Sequence, residues 1–267
     1  MMAFLSLQQL PLPQVTKLWN GAFINYMKPM GITEDVLQAR MKQYAISPEY
    51  STVATVEDEY AGVMLFGLKD QLAWIGGMAT LPNYRGYGIG RSLVAHAISL
   101  AQSLHVKELR LEVIVGNDKA ENLYRSTNFT VINTLAVAKG TLQHYRQSPL
   151  QVKQTRVNEQ HLAMQPASTS WETRLEASDT VHDIYLKDQY LGYICFREEG
   201  SGLYIQQLCL PEPTQALVEA LLTELHTLYG AVSCKIHQID AASELYTHLK
   251  TLGFEQLYQQ RQMTYTV

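Results

Sequence analysis

Apolar residues recur at helical spacing over Leu93, Val94, Ala97, Ile98, Ala101 and Leu104, which predicts a helix with one apolar stripe. Leu109, Leu111, Val113 and Val115 then alternate with Arg110, Glu112 and Ile114, the period-two pattern of a half-buried strand. The same pair of patterns returns in the second half. Ala216, Leu217, Ala220, Leu221, Leu225 and Leu228 make another helical stripe, and Val232, Cys234 and Ile236 alternate with Ser233, Lys235 and His237. Nearer the N-terminus, Thr33-Glu34-Asp35 has the composition of a helix start, a hydroxyl cap followed by two carboxylates.

These recurrences belong to an internal repeat. Tyr60-Ala61-Gly62 is answered by Tyr190-Leu191-Gly192, Leu81-Pro82 by Leu210-Pro211, Leu93-Val94 by Leu217-Val218 and Leu123-Tyr124 by Leu245-Tyr246. The landmarks keep their order, but their separation shrinks between the second and third, so a segment of the first copy is shortened in the second. In the second copy that segment reads Glu212-Pro213-Thr214, without glycine or arginine. Polar residues and a proline at Gln147-Ser148-Pro149 follow the last strand pattern of the first copy, around Val131 to Lys139, which predicts units 1–147 and 148–267.

The shortened segment is Arg85-Gly86-Tyr87-Gly88-Ile89-Gly90-Arg91 in the first copy. Glycines between a strand and a helix let the backbone take φ > 0 and turn successive N–H groups toward one anion at the helix N-terminus. Arg85 and Arg91 flank the loop with charge-assisted donors. A P-loop would need glycine at Arg85 and lysine at Arg91, and a dinucleotide fingerprint would need its third glycine at Arg91, so neither nucleotide motif is met.

What the flanks do match is Met78-Ala79-Thr80-Leu81-Pro82-Asn83-Tyr84 ahead of the loop, then Asn117-Asp118-Lys119-Ala120-Glu121-Asn122-Leu123-Tyr124 and Phe129. Together these resemble the GNAT acyltransferase superfamily, whose signature is x-Pro-x-x-Arg-Gly-x-Gly-x-Gly followed by Asn-x-x-Ala-x-x-Leu-Tyr and Gly-Phe. Asn128 replaces that last glycine, a mild change because Asn tolerates the left-handed conformation of a helix C-terminus. The resemblance implies an α/β fold of two tandem GNAT-like domains, each a mixed, mostly antiparallel sheet flanked by helices. It implies an acetyl-CoA-dependent N-acetyltransferase in the first domain and a degenerate second domain without the pyrophosphate loop.

The same resemblance gives Met78, Ala79 and Thr80 to the pantetheine arm, Arg85, Gly86, Tyr87, Gly88, Ile89, Gly90 and Arg91 to the pyrophosphate, Asn117 to an amide of the arm, and Tyr124 to the general acid. Glu112, mid-strand among apolar neighbours, is the candidate base; the other reading makes it a carboxylate on the polar face of a half-buried strand. Trp74-Ile75-Gly76-Gly77 suits a β-bulge where strands splay. Phe23 and Tyr26, with Trp19, Met27 and Met30, form an aromatic and Met-rich segment read either as acceptor pocket or as core.

Composition narrows the function classes. A net charge of −4 from 21 basic and 25 acidic residues gives no basic footprint for nucleic acid. No apolar run of membrane-spanning length and no basic leader appear, so a cytoplasmic protein is expected. Cys195, Cys209 and Cys234 lack metal-binding spacing and lie far from the loop, so neither a metal nor a covalent acyl-enzyme is expected. The partners expected are a small-molecule or peptide amine and, as a further expectation, a homo-oligomer. A non-catalytic acyl-CoA sensor, or transfer of another acyl group, are the alternatives that the residues leave open.

Overall fold

A computed structural model describes residues 1–166, 169–178 and 180–267. The chain forms two units, Met1–Ile132 with Gln262–Val267, and Asn133–Arg261. In the first, β1 (Met2–Ser6), α1 (Leu12–Ala22) and α2 (Glu34–Gln43) precede the strands β2 (Thr52–Val56), β3 (Glu59–Lys69) and β4 (Leu72–Thr80). Then come α3 (Ile89–Ser103), β5 (Glu108–Ile114), α4 (Asp118–Arg125) and β6 (Thr130–Thr141), which runs on into the second unit. Strand order here is β1-β2-β3-β4-β5, antiparallel except for β4 and β5, and the last residues of the chain lie beside β5. Leu93, Val94, Ala97 and Ala101 of α3 are fully buried against Leu109, Leu111 and Val113 of β5, as the two periodicities require. Thr33 caps α2, accepting a hydrogen bond from Val36 N at 3.3 Å.

The second unit continues with β7 (Leu150–Arg156), α5 (Glu159–Met164), β8 (Thr180–Leu186), β9 (Gln189–Glu199), β10 (Gly202–Cys209), α6 (Gln215–Tyr229), β11 (Ser233–Asp240), α7 (Glu244–Thr251) and the first part of β12 (Glu255–Thr266), which belongs to the first unit from Gln262 on. Its strands run β6-β11-β10-β9-β8-β7, again with one parallel pair, β10 and β11. The buried stripe of α6 is Val218, Leu221, Leu222 and Leu225; Ala216 and Leu228, placed on the stripe from sequence, lie exposed near the two ends of the helix. Cys195, Cys209 and Cys234 are free and buried, and burial raises their thiol pKa values. Among the described residues no helix is long and apolar enough to cross a membrane.

The division differs from the one expected at residues 147/148. Ala136, Ala138 and Leu142 belong to the core of the second unit, and β6 pairs with β11 from Leu135 to Thr141, so the Pro-containing stretch near Pro149 is a connection inside that unit. Composition marks a loop there, and a loop is what it is; the contacts place the join inside a strand, where no compositional signal exists.

The repeat is visible strand by strand. A β-bulge leaves Gly76 unpaired between Leu65↔Gly77 and Phe66↔Ile75, and the second unit skips Gln206 between Cys195↔Gln207 and Phe196↔Ile205. The parallel pairs end on Ile75↔Leu111 and Ile205↔Ile236. Asn128 takes φ 68°, and Gly253, its counterpart, φ 88°, with Phe129 N and Phe254 N bonded back to Tyr124 O and Leu249 O at 3.1 and 3.0 Å. Those bonds correct one landmark: Leu249, not Tyr246, holds the place of Tyr124. Tyr246 lies one turn earlier on the helix face, where a Leu-Tyr pair matches by sequence but not by cap geometry.

The glycine pair of the bulge is fixed by aromatic packing. A Cβ on Gly76 would fall on the Trp74 ring, and one on Gly77, at φ 152°, on the Trp19 ring. Gly77→Ala is therefore expected to destabilise the protein by about 2 kcal/mol, an overpacking cost, read as a lower urea midpoint with unchanged slope.

Candidate active site

Strand β4 reaches the site with one edge occupied and the other released. Met78, Ala79 and Thr80 pair with Met64, Val63 and Gly62 of β3, while the pairing with β5 covers only Leu72–Ile75 and Glu108–Leu111. Past those pairs the two strands run on to Thr80 and Ile114, and the released edge of β4 borders a cleft. A short helical turn over Pro82–Tyr84 then leads to Arg85, and Gly86 and Gly88 take φ 88° and 82°. Gly88 is the N-cap of α3 without a side-chain cap, and the helix ladder opens with Ser92 N to Gly88 O at 3.0 Å, so the amides of the preceding first turn face forward. A Cβ at either Gly86 or Gly88 would meet nothing within 4 Å, which leaves the space over the loop open.

The cleft has a volume of about 450 Å³. It gathers Met78, Ala79, Thr80, Arg85, Gly86, Gly88, Ile89, Gly90, Arg91, Asn117 and Tyr124 with Phe23 and Tyr26, residues from five separate stretches of sequence. Tyr87 and Glu112 are not among its lining residues; the Tyr87 ring is 78% exposed. Ile24, Asn25 and Lys119 line it as well and were not anticipated. Lys119 sits inside the Asn117–Tyr124 motif, where its charge was the available signal. With Arg85 and Arg91 it makes three cations, and no carboxylate lines the cleft among the described residues.

Arg85 does more than supply charge. Its Nε donates to Thr80 O at 3.1 Å and its Nη2 to Ala22 O at 3.0 Å, tying the end of β4 to the end of α1. Arg91 Nη2 reaches Ser126 Oγ at 3.1 Å. Asn117 is also a framework residue: its Oδ1 accepts from Ala120 N at 3.3 Å as the N-cap of α4, and its Nδ2 donates to the Tyr26 hydroxyl at 3.3 Å.

In the aromatic segment, Trp19 is core, 1% exposed, with its indole N–H on Met30 O at 2.8 Å, whereas Phe23 and Tyr26 reach the cleft. Met27 is 55% exposed. Glu112 follows the last β4/β5 pair, and its Oε2 accepts the Trp74 indole N–H at 2.7 Å. Tyr124 packs against Phe129, with ring centroids 5.9 Å apart, and its pKa is raised, first by burial and then by the neighbouring Tyr26. Tyr26 is also raised by burial, and its bond from Asn117 works in the opposite direction.

The family model for the acetyltransferase (GNAT) family matches residues 13–129. This unit belongs to the GNAT superfamily. N-alpha-acetyltransferase 30 of Saccharomyces cerevisiae is 43% identical over 56 residues, 21% of this chain and 32% of that protein's length. Among solved structures, a GCN5-related N-acetyltransferase from Sphaerobacter thermophilus is 10% identical with a TM-score of 0.69, covering 99% of this chain and 95% of that one. A tandem GNAT protein from the clavulanic acid biosynthesis pathway is 13% identical with a TM-score of 0.64, covering 100% and 98%. At such identities the likeness is one of fold, and it spans both units, although the family model covers only the first.

Burial of Tyr124 has a pH consequence. The native GNAT unit holds the phenol protonated after the unfolded chain has begun to ionise near pH ~10, so the native state binds more protons there and stability falls as pH rises further. Tyr124→Phe removes this contribution; its melting temperature is expected to fall less steeply than that of the wild type above about pH 10.

Proposed function

We propose that the GNAT unit transfers an acetyl group from acetyl-CoA directly to a primary amine of a small molecule or peptide. The observation that carries this reading is the single cleft bounded by the open glycine loop, the released edge of β4, three cations and the buried Tyr124. Forward-facing amides at the start of α3, with Arg91 and Lys119 nearby, suit a pyrophosphate, and the edge of β4 released from β5 over Met78–Thr80 suits an extended amide-bearing arm. The partial likeness to an N-alpha-acetyltransferase supports an amine acceptor.

In this reading the amine nitrogen bonds to the thioester carbonyl carbon, the carbon–sulfur bond breaks, and the Tyr124 hydroxyl gives its proton to the departing sulfur. The raised pKa keeps that proton in place across the neutral range. The amine's own proton leaves through water toward Glu112, which stands where β4 and β5 part and keeps one oxygen on the Trp74 indole. Phe23 and Tyr26 form the acceptor side, and the second unit, without the glycine loop, takes no part in holding acetyl-CoA.

Titration calorimetry with acetyl-CoA, paired with thiol release in the presence of a panel of amines, tests the assignment. Gly88→Trp, which fills the open space over the loop, is expected to abolish acetyl-CoA binding. Tyr124→Phe is expected to keep binding and lower kcat by about 10²–10⁴-fold, and Glu112→Gln to lower kcat by a smaller factor. Tight binding without thiol release for any amine would overturn transfer.

A further inference from the structure

The second unit has a cleft of its own, about 460 Å³, at the place in its fold that the acetyl-CoA cleft holds in the GNAT unit. Its chemistry is reversed. Asp240 and Glu244 line it, and among the described residues no lysine or arginine does. The anion cradle is closed in three ways: Pro211 and Pro213 have no amide hydrogen to offer, Thr214 caps α6 with its own side chain on Leu217 N at 3.2 Å, and the glycine loop is missing.

In place of the glycine pair at the bulge stand two glutamines. Gln206 is satisfied, donating to Arg174 O at 3.2 Å and accepting from Ser178 Oγ at 2.7 Å. Gln207 is not. It is 8% exposed, lines the cleft and donates through Nε2 to Thr169 Oγ1 at 3.4 Å, while its Oε1 has no hydrogen-bond partner among the described residues. His237, which takes the place of Glu112 in the repeat, also lines the cleft, with Nδ1 buried and without a partner. A buried amide oxygen without a donor is costly unless a ligand supplies one.

We propose that this cleft binds an organic ammonium ion with an alkyl body. Asp240 and Glu244 attract the charge, Gln207 Oε1 accepts one of its hydrogens, and the apolar wall that includes Leu208 and Ile239 covers the alkyl chain. The inference concerns the second unit alone and stands whether or not the GNAT unit transfers acetyl groups.

Calorimetric titration of hexylammonium chloride into the full chain at low ionic strength, with sodium hexanoate as the charge-reversed control, tests it. In the Gly88→Trp protein, whose first cleft is filled, one hexylammonium site and no hexanoate binding are expected. Gln207→Leu, which removes the unpartnered oxygen together with the long bond to Thr169 Oγ1, is expected to change the melting temperature little and to weaken hexylammonium by about tenfold or more. The double variant Asp240→Asn with Glu244→Gln is expected to weaken it to a similar degree, and added salt should do the same in the wild type. The proposal is overturned by absence of hexylammonium binding, by hexanoate binding as tightly to the Gly88→Trp protein, or by affinity that neither variant changes.

Discussion

Two indole rings packed onto two adjacent glycines decide where β4 leaves β5. Trp74 folds back over Gly76 and Trp19 lies against Gly77, a proximity that no Cβ would permit. The bulge at Gly76 follows, and with it the end of parallel pairing at Ile75↔Leu111. Everything in the candidate site is downstream of that parting: the released edge of Met78–Thr80, the direction in which the glycine loop starts, and the position of α4 with Tyr124. Glu112 closes the arrangement from the other strand by holding the Trp74 indole nitrogen at 2.7 Å. A polar group that reads as a base in the sequence is thus also a fastener of the bulge.

The second unit keeps the backbone of this device and discards its chemistry. Its bulge falls on Gln206, its parallel pair ends on Ile205↔Ile236, and its C-terminal cap geometry at Gly253 repeats that at Asn128. In this copy the bulge rests on another side chain: Gln206 donates to Arg174 O and accepts from Ser178 Oγ, in place of the packing of indole on glycine. The site depends on side chains and on glycine, and both have gone: Leu249 stands for Tyr124, Thr214 for Gly88, and Gln207 for Gly77. One fold therefore carries a cationic cleft in one copy and an acidic one in the other.

Much of this was legible in the sequence because it is local. The loop glycines, the stripe of α3, the alternation of β5, the bulge and the left-handed Asn128 each follow from a few neighbouring residues. What was not legible depends on contacts between distant segments. Nothing near Arg85 says that its guanidinium will bind Ala22 O and Thr80 O, 63 and five residues away. The join between units hides inside β6 for the same reason, since a continuous strand carries no turn or linker composition where the contacts divide. The Leu-Tyr landmark misled because two residues match by identity while the helix cap, which sets register, lies seven residues further on.

Charge supplies the last step. In the GNAT unit three cations and open amides face the cleft, and the Arg85 guanidinium is held by two backbone carbonyls, Thr80 O and Ala22 O. That second function of Arg85 explains why the loop can hold a strong positive charge beside a helix N-terminus, where the helix dipole opposes it. A lysine at position 85 would offer the same net charge to a phosphate but only a point donor to two carbonyls that lie in different directions. The guanidinium fork is what lets one side chain set the geometry of the loop and the electrostatics of the cleft together.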